Sequence, residues 1–123
     1  MSIISDKGLL ILSHAGPKDP DKAILPIVVA TMAKVSRIDV TLFLLGDATY
    51  LLTEKHIDEV KGEVFPSLRE AYDTLVKEEI EVHICSRYMK SYGIKRGDFA
   101  GAVKISSLAR LAELAQENST LTF

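Results

Sequence analysis

The chain has one cysteine and no tryptophan in 123 residues. A single thiol excludes an internal disulfide, a CxxC redox pair and a four-cysteine zinc knuckle, and leaves an inert core thiol, an intermolecular link or a reactive nucleophile. Side-chain amides are nearly absent as well: Gln116 and Asn118 are the only ones, and with Lys and Glu dominating the charges the composition leans towards a thermophilic source. Neither sign of charge prevails. Fifteen basic and seventeen acidic residues give a formal charge of -2, which supplies neither a basic nucleic-acid footprint nor an acidic tail, so no nucleic-acid partner is expected. The opening "SIISDKG" after Met1 lacks the basic start and apolar run of a signal peptide, and no apolar stretch is long enough to cross a bilayer. A cytoplasmic protein without membrane contact is the expectation. There is also no GxGxxG and no GxxxxGK phosphate cradle, which sets ordinary nucleotide binding aside.

What is present is an alternation of strands and helices within a length that suits one domain over residues 1–123. "GLLILS" (8–13) and "DVTLFLLG" (39–46) are apolar without a period of two, as strands buried on both faces are. Between them, Ile24, Ile27, Val28, Thr31 and Val35 recur at helical spacing. Pro26 predicts a start near Lys22, because a proline is tolerated within about the first four helical positions, whose amides lack acceptors anyway. The same helix carries a second apolar row, Leu25, Val29 and Met32, and a helix apolar on two sides needs two partner surfaces, which points to self-association. "YLLTEKHIDEV" reads as a short, partly exposed helix. Pro66 opens an amphipathic helix with Leu68, Ala71, Tyr72, Leu75 and Val76 on its inner face. Strands over 80–85 and 101–106, a helix over "SLARLAELAQEN" and a closing "TLTF" complete the pattern. Such alternation implies right-handed crossovers and a mostly parallel sheet covered on both faces.

In open parallel sheets, ligands bind beyond the carboxyl ends of the strands. Standing there are Ser13 and His14, Gly46 and Asp47, Cys85 and Ser86, and Ser106 and Ser107. A phosphoacceptor receiver domain would want an acidic pair after the first strand and an aspartate after the third, where this chain has His14 and Cys85. At Cys85 the strand ends, Ser86 is placed to cap a short following helix, and Arg87, Lys90, Lys95 and Arg96 bring positive charge. A cationic helix start favours the thiolate, the form a nucleophile or sulfur carrier needs. Free cysteines are also among the most buried residues, so position alone leaves the reactive and inert readings open. His83 shares a strand face with Cys85, roughly 7 Å along, either as a base beside the thiol or as a satisfied core histidine. His14 is the histidine placed to approach Cys85 from a neighbouring loop. His56 falls on a polar segment and reads as solvated, and Tyr88 and Tyr92, four apart, read as packing or as a pocket border. His14, His83 and Cys85 lack compact ligand spacing and a fourth ligand, so no metal is expected, and no cofactor either.

Taken in order, "VATMAKV", "VTLFLLGDATYLL", "EVHICSRYMKSYGI" and "GAVKISSLARLAEL" with its closing "LTF" resemble the DsrE/DsrF-like sulfur-relay family, which includes TusD-type persulfide carriers. The resemblance implies a three-layer α/β/α sandwich with a mainly parallel five-stranded sheet and assembly into homotrimers or homohexamers. It places the sulfur-bearing cysteine at Cys85; His14, His83, Ser86 and Arg87 are expected around its substrate from their places near the strand ends, not from the resemblance. The function it implies is relay of sulfane sulfur as a persulfide between donor and acceptor proteins. The alternative is a non-catalytic oligomeric module that binds a small anion or a partner protein at the strand-end pocket while Cys85 only packs. "SHAGPKDPDKA" and "TEKHIDEVKGEVFPS" have no close counterpart in the family pattern.

Overall fold

Strands without polar alternation must be covered on both faces, and β1 (Gly8–Ser13) and β2 (Val40–Leu44) are covered in that way, as is β3 (Glu81–Cys85) beyond its exposed first residue. The computed structural model describes residues 7–123, so most of the opening stretch read for a leader lies outside the described residues. Five strands, all parallel, run in the order β4 (Lys104–Ser106), β3, β2, β1, β5 (Asn118–Thr122). On one face Ile11, Leu42, Leu44, Val82 and Ile84 pack with Ile24 and Ile27 of α1 (Pro20–Val35) and Leu68 and Leu75 of α2 (Leu68–Lys77). On the other face Leu10, Phe43 and Cys85 meet Leu114 of α4 (Leu108–Glu117), the helix that carries the chain from one sheet edge to the other. The result is the expected α/β/α sandwich, with α3 (Ser86–Tyr92) following β3 at the carboxyl edge.

Local structure departs from the sequence expectations where tertiary contacts override them. Helix α1 starts at Pro20 and keeps Pro26 in its interior, not near its start as expected. Pro20 loses nothing at the first position, where its missing N–H would be unpaired anyway; Pro26 forgoes one helical hydrogen bond but is buried. The segment 50–60 forms no regular helix. A 3₁₀ turn over Gly46–Tyr50 is followed by turns bonded mostly within themselves, with two bonds reaching elsewhere: Glu54 N–H donates to Asp98 O (2.8 Å), and Ala100 N–H donates to Leu52 O (2.9 Å). Leu51, Leu52 and Ile57 are fully buried by this arrangement. The fourth strand shortens to 104–106, the expected residues 101–103 taking no part in the ladder with β3. On α2 the inner face is Leu68, Ala71, Tyr72 and Leu75, while Val76 turns outward.

Helix α2 begins at a side-chain cap: Ser67 Oγ accepts from Glu70 N–H at 3.3 Å. Ser67→Ala removes that acceptor and should lower stability by about 1 kcal/mol. The measurement is urea unfolding followed by circular dichroism, and a midpoint equal to wild type would show that the cap contributes nothing.

Candidate functional site

Strand β3 feeds directly into α3, so Cys85 is itself the N-cap and Ser86 is the first helical residue. Ser86 therefore does not cap, correcting the sequence assignment by one position, and no side chain caps this helix. The cysteine is at the strand end but is 0% exposed. It packs with Leu10, Phe43 and Leu114, with half-buried Tyr88 and Leu111 against the cluster. Ser86 is half-buried, whereas Arg87 and Lys90 lie on the exposed side of α3.

Because side chains alternate along a strand, Glu81, His83 and Cys85 share the α4 face of β3. His83 is 2% exposed and sits opposite Phe43 on β2, the two rings stacked with centroids 5.7 Å apart. Both ring nitrogens are engaged: Nε2 with Glu81 Oε1 at 2.5 Å and Nδ1 with Ser106 Oγ at 2.6 Å. Lys104 Nζ reaches the same carboxylate oxygen at 3.2 Å. Burial alone would raise the Glu81 carboxyl, but the hydrogen bonds from His83 and Lys104, with the positive charge of Lys104, outweigh it and hold the group below its ordinary value of 4.5. The satisfied histidine foreseen from sequence is thus found, with partners that sequence reasoning did not assign. Glu81 was legible through the same alternation; Ser106 was placed at the sheet edge but not beside His83. Ser86, His83 and Ser106 line one cleft with Arg96, Lys104, Ser107 and Arg110.

His14 is elsewhere. It is exposed at the end of β1, its Nδ1–H donating to Phe123 O at 3.1 Å, and it lines a different cleft with Lys18, Asp47, Tyr50 and His56. Strand β2 lies between β1 and β3, so the two strand ends are separated by about 10 Å, and the expected approach of His14 to Cys85 is not made. His56 is not solvated as expected: it is half-buried, bonded to Thr53 Oγ1 at 3.0 Å and packed on Tyr50. Tyr50 stacks on Tyr92 at 4.7 Å, Tyr92 meets Tyr88 at 5.7 Å, and Tyr92 Oη donates to Asp47 Oδ1 at 3.1 Å. These tyrosines tie α3 to the β2 turn. Among the described residues no three His, Cys, Asp or Glu side chains cluster as a metal site would require, and no helix is long and apolar enough to cross a membrane.

A parallel three-layer sheet whose sole thiol ends an inner strand defines a class of small α/β protein. Within it, the chain belongs to the DsrE/DsrF-like family, whose model matches residues 7–123. Among solved structures, the ychN protein from E. coli superposes with a TM-score of 0.79 at 20% identity, over 95% of this chain and 99% of that one. BT1422 from Bacteroides thetaiotaomicron, a conserved protein of unknown function, gives 0.67 at 15% identity over 96% of each chain. MTH1491 from Methanobacterium thermoautotrophicum, also of unknown function, gives 0.66 at 11% identity, over 94% of this chain and 99% of that one. No curated protein sequence matches.

The lowered Glu81 carboxyl makes part of the stability pH-dependent. A carboxylate whose folded pKa is depressed stabilises the fold fully above its unfolded value, and that share is lost as pH falls through the folded value. Glu81→Gln should therefore be less stable than wild type by no more than about 1 kcal/mol above that range, Glu81 being partly solvated. In urea unfolding across a pH series the gap should narrow as the medium is acidified, and a gap independent of pH would refute the assignment.

Proposed function

We propose that this protein relays sulfane sulfur, holding it as a persulfide on Cys85 between a donor and an acceptor protein in the cytoplasm. The observation that carries the reading is the sole thiol at the end of β3 and the start of α3, in a chain of the DsrE/DsrF-like family. The chemistry is thiol exchange: Cys85 thiolate attacks the outer sulfur of a donor persulfide, the donor's S–S bond breaks, and the donor leaves as a thiolate that takes up a proton. Transfer to the acceptor repeats the step with the roles exchanged. No resolving cysteine is needed, which suits a chain with one thiol.

Burial constrains how this happens. With Cys85 inaccessible in the resting fold, sulfur must enter through a local opening in which Tyr88 or Leu111 yields, and closure then shields the persulfide from further oxidation. The same burial favours the second reading, a non-catalytic oligomeric module binding a small anion or partner protein at the strand ends. Reduced protein incubated anaerobically with a persulfide donor or a loaded cysteine desulfurase should gain the mass of one sulfur atom, removable by reductant, while Cys85→Ser gains none. If wild type takes up no sulfur and its thiol is alkylated only on unfolding, the binding module is the correct reading.

Assembly as a homotrimer or homohexamer belongs to this proposal. Leu25 and Val29 of α1 are half-buried and Met32 is 59% exposed, and Val35, which spacing put in the first row, is 61% exposed and joins them in an apolar stripe along the outer side of the helix. Light scattering should give a multiple of the chain mass, and Val29→Lys should dissociate it. A monomer at micromolar concentration would remove the claim.

A further inference from the structure

The hydrogen bonds of His83 are directional, and their direction follows from the partners. Glu81, held ionised, only accepts, so the 2.5 Å contact requires the proton on Nε2. In the neutral ring Nδ1 is then a lone pair, and the 2.6 Å contact requires Ser106 Oγ–H to donate to it. Serine, imidazole and carboxylate thus stand in the order in which a hydroxyl nucleophile is activated: a base takes its proton and an anion orients the base. The ring has little freedom to leave this position, stacked on Phe43 within 10° of parallel and 2% exposed.

The setting of Ser106 fits the same use. It is the last residue of β4, and the chain turns at Ser107 into α4, whose cap is made by Ser107 Oγ accepting from Arg110 N–H at 3.1 Å. A serine at a strand-to-helix turn has the first amides of the helix, which lack partners within it, close to where an oxyanion would form. Ser106, 9% exposed, and His83 line a cleft of about 730 Å³ whose remaining walls include Arg96, Lys104 and Arg110. Lys104 is paired with Glu81, and Arg110 lies at 3.9 Å from Glu117. The cleft is open, basic and lined by a hydroxyl with a base behind it.

We propose that Ser106, with His83 as base and Glu81 as the carboxylate that orients it, is a second nucleophilic site, independent of Cys85, that hydrolyses small acyl esters carrying a negative charge. Ser106 Oγ bonds to the acyl carbon while its proton passes to His83 Nδ1. The ester C–O bond then breaks, and the leaving alkoxide takes that proton and departs as the alcohol. Water attacks the acyl-serine, giving its proton to His83 and then to Ser106 Oγ, and the carboxylic acid is released. Arg96 and Arg110 recognise the substrate's anionic end; Glu81 acts only through His83.

The test is a fluorophosphonate probe, which loses fluoride to an activated serine, applied to the full-length protein with peptide mapping of the label. The expected result is one label, on Ser106, absent in Ser106→Ala, with a labelling rate that rises with pH to a plateau, as general-base activation of a hydroxyl requires. His83→Gln should lower the rate about a hundredfold or more. Should His83→Gln fail to fold by circular dichroism, Glu81→Gln decides, since Glu81 is partly solvated; it should also slow labelling and alter the pH profile. With Cys85→Ala protein, p-nitrophenyl succinate should be hydrolysed faster than p-nitrophenyl acetate, and Arg96→Ala should reduce that preference. No label on wild type, a label on another serine, or equal rates in wild type and the folded His83 or Glu81 variants overturns the proposal.

Discussion

Five strands hydrogen-bonded in the same direction impose the constraint on which the rest of the molecule depends. Parallel strands cannot be joined by tight turns, so each connection must cross a face of the sheet, and those crossings supply the cover that both faces need. Helices α1 and α2 cover one face with the larger core, while α4 spans the other, with Tyr88 of α3 packed at its edge. The same direction brings Ser13, Leu44, Cys85 and Ser106 to a single edge, followed by His14, Leu45, Ser86 and Ser107. Cys85, Ser106 and His14 are gathered there by the common strand direction, while Glu81 and Lys104 stand at the starts of their strands.

Strand β3 is where the two faces differ most in chemistry. Val82 and Ile84 point into the larger core, and Glu81, His83 and Cys85 point towards α4. Burying an imidazole without partners would cost several hydrogen bonds' worth of solvation, about 1–3 kcal/mol for each group left unsatisfied. Here both nitrogens are bonded, and one bond goes to a carboxylate still partly in water. The arrangement combines an apolar floor beneath Phe43 with a polar line leading out to a basic cleft. Cys85, next along the strand, takes the apolar part of this environment, which explains how a residue at a strand end is nevertheless closed to solvent.

The clefts flanking this edge are built differently. Around His14 the walls are the loop after β1 and the turn after β2, braced by stacked Tyr50 and Tyr92 and by the Tyr92 to Asp47 bond. Around Ser106 they are the start of α4 and the ends of β3 and β4. Strand β2, between β1 and β3, keeps the two apart, and the thiol opens into neither in the resting fold. Access to Cys85 therefore requires local motion, whereas Ser106 already lines an open cleft.

The amino-acid sequence by itself determined the alternation of elements, the parallel sheet and the location of Cys85 at a strand end, because these follow from local hydrophobic period and from turn residues. It also placed His83 and Cys85 on one face, since alternation along a strand needs no knowledge of its neighbours, and the structure adds Glu81 to that face. Only the tertiary structure decided the rest. The segment 50–60 is helical by composition but folds as successive turns, tied by Leu52 and Glu54 to residues 98–100 in a long-range pairing that no local window contains. His14 and Cys85 are equally eligible by their strand ends, and strand order separates them. His83 and Ser106 are 23 residues apart in sequence and meet only because β4 adds beside β3 in one register, so their 2.6 Å contact is a product of strand pairing.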